Sequence, residues 1–112
     1  VRPPRIIRLL SQRVTVRTVA DIDISDRFGE GAAAYGVFDA DGPNILLTRK
    51  QGPDRMRETF LHENLHLMFA HAKLCADEGG VSEEEAVNRL APVMLSWVRE
   101  NPSAVEYLRR KD

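Results

Sequence analysis

Around residue 62 the chain places His62, Glu63 and His66 at the centre of a largely apolar stretch that also holds Phe60, Leu61, Leu65, Leu67, Met68 and Phe69. In front of it, Gly52-Pro53-Asp54 forms a good helix start, because proline is tolerated in the first turn and Asp54 can cap. The pattern predicts a helix over about residues 54–73, apolar on nearly every side, with Asn64 and His71 as its main polar strip. A helix buried that fully should not carry two imidazoles and a carboxylate without a use for them. Residues four apart on a helix share a face, so His62 and His66 can reach one metal ion. Glu63 projects about 100° further round, which puts its carboxylate beside such an ion and lets it take a proton from activated water. The spacing therefore points to a zinc (Zn2+) site with His62 and His66 as ligands and Glu63 as the catalytic base.

The remaining elements form an α+β pattern, strands first and helices after. Pro3-Pro4 opens an extended basic arm over residues 1–12, with a short apolar segment read as a turn of helix. Residues 13–19 alternate, Val14 and Val16 on one face and Arg13, Thr15 and Arg17 on the other, which is the period of a half-buried strand. Residues 25–31 read as a loop. Two β-prone runs at 35–38 and 45–49 flank Asp39, Asp41, Gly42 and Pro43, which indicates a hairpin of antiparallel strands. After a break at residues 77–80, Ser82 and Glu85 have capping-box spacing and open a second helix toward Glu100, with Pro92 expected to kink it or displace its boundary. Asn101-Pro102 ends that helix, and a short third helix follows. At 112 residues the whole fits a single domain, residues 1–112.

Composition excludes several classes. A formal net charge of −1 argues against a chain devoted to phosphate backbones, so direct nucleic-acid binding is not expected. Nothing approaches the roughly 20 apolar residues that cross a bilayer. The apolar segments behind Arg2, Arg5 and Arg8 are too short for a signal peptide, and the one cysteine, Cys75, cannot form an internal disulfide. These features suggest a cytoplasmic protein with no membrane partner.

A third metal ligand is needed. A histidine six residues beyond His66 would suit one arrangement, but Ala72 stands there. A glutamate from the following helix suits another, and Glu83, Glu84 and Glu85 are the candidates. If the second helix buries Val87, Leu90, Ala91, Met94, Leu95 and Val98, then Glu85 points away and Glu83 and Glu84 lie at the edges of that stripe. Glu84 shares a face with Asn88, Ala91 and Leu95 and ranks first, with Glu83 second.

Residues 57–66, together with Glu84, Ala86, Asn88-Arg89-Leu90-Ala91 and Met94-Leu95, resemble the ImmA/IrrE-type metallopeptidases found in mobile elements, phages and bacteria. The resemblance spans about residues 13–98, and the zinc motif is its specific part. It implies a small zincin-like, gluzincin-like fold with zinc held by His62, His66 and Glu84 and with Glu63 as general base. It also implies a protein substrate, a transcriptional repressor that keeps an element or a stress response silent. Three positions depart from the family pattern: Leu65 replaces a glycine, Val87 separates Ala86 from Asn88, and Pro92 interrupts the glutamate helix.

The function expected is thus a zinc-dependent peptidase that hydrolyses a peptide bond, and the alternative is a non-catalytic zinc-stabilised module that binds a regulatory protein. Tyr35, His71 and Tyr107 are chemically able to stabilise an oxyanion, and His71 is expected at the surface. The strand at residues 45–48 is a candidate for pairing with an extended substrate. Asp39 and Asp41 resemble the opening of a calcium loop, but Lys50 occupies the position of the bidentate glutamate, so a turn is expected. Cys75 and Trp97 read as packing residues, Trp97 in the core or an interface.

Overall fold

The computed structural model describes residues 1–22, 35–74 and 80–111. The loop expected at 25–31, most of the break at 77–80, and Cys75 fall outside them. Four strands, β1 (Ile6–Leu9), β2 (Gln12–Val19), β3 (Gly36–Asp39) and β4 (Asn44–Thr48), form one sheet in the order β1-β2-β4-β3. Three helices follow: α1 (Pro53–His71), α2 (Glu83–Glu100) and α3 (Pro102–Arg109). The α+β expectation holds, with strands preceding helices.

Alternation decides which face of the sheet is buried. Ile7 and Leu9 of β1, Val14 and Val16 of β2, and Ile45 and Leu47 of β4 point to one side, where they meet Phe60, Leu67 and Met68 of α1, Val93 and Trp97 of α2, and Ala104 and Tyr107 of α3. Full burial of each large aliphatic side chain contributes roughly 1.5–3 kcal/mol. Arg13, Thr15 and Arg17 on the alternate positions of β2 are exposed, as the two-residue period requires.

Two expectations about the strands change. Residues 6–9 are a strand, not a helical turn on a basic arm, and β1 pairs antiparallel with β2, with Leu9 opposite Gln12. The connecting Leu10 and Ser11 both have positive φ, 49° and 73°, which is the backbone of the tight hairpin turn normally written with Asn-Gly. The sheet is also mixed. β3 and β4 form the expected antiparallel hairpin, but β2 and β4 run parallel, with Val16 opposite Ile45. This register sends the apolar residues of both central strands toward the same helices and leaves β3 at the edge.

The outer edge of β1 is closed by a side chain. The Asn101 amide accepts from the Arg8 N–H at 2.9 Å and donates to the Arg8 carbonyl at 2.7 Å, so it stands in for a neighbouring strand. A second donation, to the Trp97 carbonyl at 2.8 Å, ties that edge to the end of α2.

α1 starts at Pro53 behind Gly52, but Asp54 does not cap it: the N-cap is Gly52, no side chain caps the helix, and the Asp54 carboxylate instead meets Arg57 Nη1 at 3.5 Å. It ends in a Schellman motif. The Leu74 N–H bonds to the Phe69 carbonyl at 2.9 Å and the Lys73 N–H to the Ala70 carbonyl at 3.3 Å, with Lys73 left-handed at φ 57°. Ser82 caps α2 by accepting from the Glu85 N–H at 3.1 Å, while the Glu85 carboxylate accepts from Arg89 at 3.0 Å. α2 runs from Glu83 to Glu100 as one helix, so Pro92 does not displace its boundary. No helix among the described residues is long and apolar enough to cross a membrane.

Candidate metal centre

α1 is not buried all round. Its inward face carries Arg57, Phe60, Asn64, Leu67 and Met68, while Leu61 and Phe69 are 38% and 40% exposed. Asn64 is a fully buried pin, not part of a polar strip. It donates to the Phe60 carbonyl at 2.8 Å and accepts from the Trp97 indole N–H at 3.0 Å. With Asn64 fixed inward, helical spacing turns His62 and His66 outward, and both are exposed.

Glu63 lies between these faces. It is buried where α1 passes β3, and His62, Glu63 and His66 present ligand atoms that all lie within 4.8 Å of one another. The imidazole centroids are 4.9 Å apart, and His62 Nε2 is 3.9 Å from Glu63 Oε2. Two donors on a tetrahedral zinc ion, each at about 2.0–2.1 Å, stand roughly 3.3 Å apart. Both imidazoles are exposed and offer nitrogen donors of the kind zinc takes, so the group could hold a metal ion.

The close passage of α1 over β3 depends on Gly36. A Cβ there would sit 2.6 Å from Thr59 Cγ2 and 3.2 Å from Glu63 Cγ. Thr59 cannot easily yield, because its hydroxyl donates to Gln51 Oε1 at 2.8 Å. Burial raises the Glu63 pKa above the ordinary value. The nearby His62 and His66 and the backbone N–H of Phe38 pull in the opposite direction by favouring the charged form. A carboxyl whose affinity for protons is raised, held beside two imidazoles, is better able to accept a proton than an ordinary exposed glutamate.

A cavity of about 290 Å³ adjoins this group, lined by Tyr35, Gly36, Arg55, Glu58, Thr59, His62 and Glu63. Arg55 stacks over the Tyr35 ring, 5.0 Å from its centroid. Of the three oxyanion candidates, only Tyr35 borders this cavity. Tyr107 is in the core, edge-on to Phe60 at 5.4 Å, and His71 is half-buried with Nε2 2.7 Å from Gln12 Oε1.

The structure does not bring Glu84 or Glu83 to the histidines. α2 buries Val93 and Trp97 and half-buries Ala86 and Leu90; of the six residues expected inside, only Leu90 packs on the core, while Val87, Ala91, Met94, Leu95 and Val98 are exposed. Glu84 belongs to that exposed side. Position along the axis separates it too. Trp97 meets Asn64 and Arg89 donates to the Lys73 carbonyl at 3.1 Å, so α2 runs antiparallel to α1 and its first turn lies past the end of α1. At 1.5 Å per residue Glu84 is about 20 Å along the axis from Trp97.

Strand addition at β4 is also ruled out by position, because β4 is bonded on both sides, to β2 and to β3. The strand beside the histidines is β3. Sequence reasoning missed Gly36, the Phe38 N–H and the Asn64–Trp97 pair; only a glycine inside a strand-like run signalled a close backbone approach. The Asp39–Asp41 segment is a turn, with the Asp41 N–H bonded to Asp39 Oδ1 at 3.0 Å. Comparison with models of protein families, with curated proteins and with solved structures gave no match to this chain.

Proposed function

We propose that this chain is a zinc-dependent peptidase in which His62 and His66 hold the metal and Glu63 is the general base. The observation that carries the reading is the grouping of two exposed imidazoles with a buried carboxylate, all within 4.8 Å, at the mouth of a cavity. Zinc bound there supplies Lewis acidity, which polarises a carbonyl and acidifies solvent. Glu63 takes a proton at its carboxylate and delivers it to the leaving amine, held in place by β3 on one side and α1 on the other. Tyr35, at the cavity rim, donates to the developing oxyanion. An extended substrate lies along the outer edge of β3, where the alternation of the hairpin turns the Gly36 backbone groups outward. The resemblance to the ImmA/IrrE-type peptidases nominates a transcriptional repressor as the substrate.

The test is Glu63→Gln, assayed with the repressor encoded nearest to this chain. Native protein with zinc is expected to give discrete fragments by mass spectrometry. The variant should give none, while its zinc affinity stays within a few-fold of native. Fragments formed at the native rate by Glu63→Gln would refute the assignment of the base.

One observation favours a second reading, a zinc-stabilised binding module without turnover. The carboxylate that joins the histidines is that of Glu63 itself, and no other acid among the described residues does so. If Glu63 ligates the ion, Glu63→Gln lowers zinc affinity by well over tenfold and native protein cleaves nothing. The same titration therefore separates the two readings.

A further inference from the structure

The outward face of α2 has no partner among the described residues. Val87 is 53% exposed, Leu95 and Val98 each 48% and Met94 40%, and Ala91 at the centre of the stripe is exposed as well. These positions fall every three or four residues along one side of an 18-residue helix, about a third of a turn round from the face that carries Val93 and Trp97. Together they present on the order of 300 Å² of apolar surface, comparable with the largest patch of an ordinary monomer. A standard interface buries about 800 Å² a side, a little over half of it apolar, so the stripe provides roughly two-thirds of the apolar area of one such side.

The charges flanking the stripe select its occupant. Glu83 and Glu84 stand at its N-terminal end and Arg99 at its C-terminal end, all exposed, and no ion pair among the described residues uses any of them. We infer that α2 is the interface of a homodimer in which the α2 helices of two copies pack antiparallel across a two-fold axis near Ala91. In that arrangement Glu84 of each copy lies within one turn of Arg99 of the other and on the same side of the interface, and Val87 packs beside Leu95. Parallel packing would instead set the acidic turns Glu83–Glu85 against each other, at a cost in like-charge repulsion and unfavourably aligned helix dipoles. The small side chain of Ala91 at the crossing lets the two backbones approach closely. The His62–His66 pair belongs to the exposed side of a different helix, so the dimer does not depend on the metal reading.

Sedimentation velocity of the full chain, with and without zinc, across micromolar to submillimolar concentration tests this. The expected result is a reversible monomer–dimer equilibrium that is lost in Leu95→Glu while the circular dichroism of that variant stays native. Arg99→Glu is expected to raise the dissociation constant roughly tenfold or more, and adding Glu84→Arg to it should recover most of the loss. A native chain that remains monomeric throughout would overturn the proposal. So would a dimer indifferent to Leu95→Glu, or a double charge exchange that fails to restore association.

Discussion

The Trp97 indole N–H donates to Asn64 Oδ1 at 3.0 Å, and this one bond sets the rotation of both long helices. It draws Asn64 of α1 to the core, which turns His62 and His66 outward, and it selects the Trp97 side of α2 as the buried side. Trp97→Phe keeps most of the apolar bulk but leaves the Asn64 carbonyl oxygen buried without its donor. Stability should fall by about 1–3 kcal/mol, measured by urea unfolding. A loss within experimental error would mean that Asn64 finds another partner and that the bond does not orient the helices.

Gly36 makes the second prediction. Because an added methyl would meet Thr59 Cγ2 at 2.6 Å, Gly36→Ala must move α1 away from β3 or displace the Thr59–Gln51 bond. The expected cost is roughly 1–3 kcal/mol, typical of overpacking. If Glu63 is the base proposed above, turnover should fall as well, because Glu63 is displaced along with Thr59. Native activity in a Gly36→Ala protein would show that the approach of β3 to Glu63 is not needed.

Much of this fold can be read from local signals with direct physical causes. Pro53 and Ser82 mark helix starts because they solve a backbone problem there, Val14 and Val16 betray β2 by alternating, and His62, Glu63 and His66 come together because one helical turn brings them together. What was not legible has equally specific causes. β1 is hidden because its turn is built from Leu10 and Ser11, side chains that do not advertise positive φ. α2 carries apolar residues on two faces, Leu90, Val93 and Trp97 on one and Val87, Met94 and Leu95 on the other. Periodicity alone cannot choose between them; the Asn64–Trp97 contact, distant in sequence, does. Ranking Glu84 as a ligand followed from choosing the other face.

Lys73 makes the third prediction. It closes α1 in the left-handed region at φ 57°, where a side chain is disfavoured and glycine is not. Its carbonyl accepts from Arg89, a bond that any residue at this position can make. Lys73→Gly should therefore stabilise the fold by about 0.5–1 kcal/mol, net of the larger entropy glycine gives the unfolded chain. Thermal unfolding at neutral pH measures it, and a lowered melting temperature would contradict the strain argument.

The last prediction concerns Glu63 in metal-free protein. Burial holds its carboxyl above the ordinary value of 4.5, the attraction of His62 and His66 and the Phe38 N–H offsetting this only in part. As pH rises past 4.5 the unfolded chain releases this proton before the folded protein does. The unfolded state then binds fewer protons, and stability falls with pH until the folded group has ionised as well. Glutamine at this position cannot ionise and escapes the penalty. Metal-free Glu63→Gln should melt above the native protein at pH 7, with the difference shrinking to little as pH drops below 4.5. Thermal unfolding of both proteins in chelator across that range decides the matter. A Glu63→Gln protein that instead melts below the native protein at pH 7, with the native advantage fading on acidification, would mean that the imidazoles outweigh burial, and that Glu63 is held as a carboxylate with a lowered proton affinity, unsuited to act as a base.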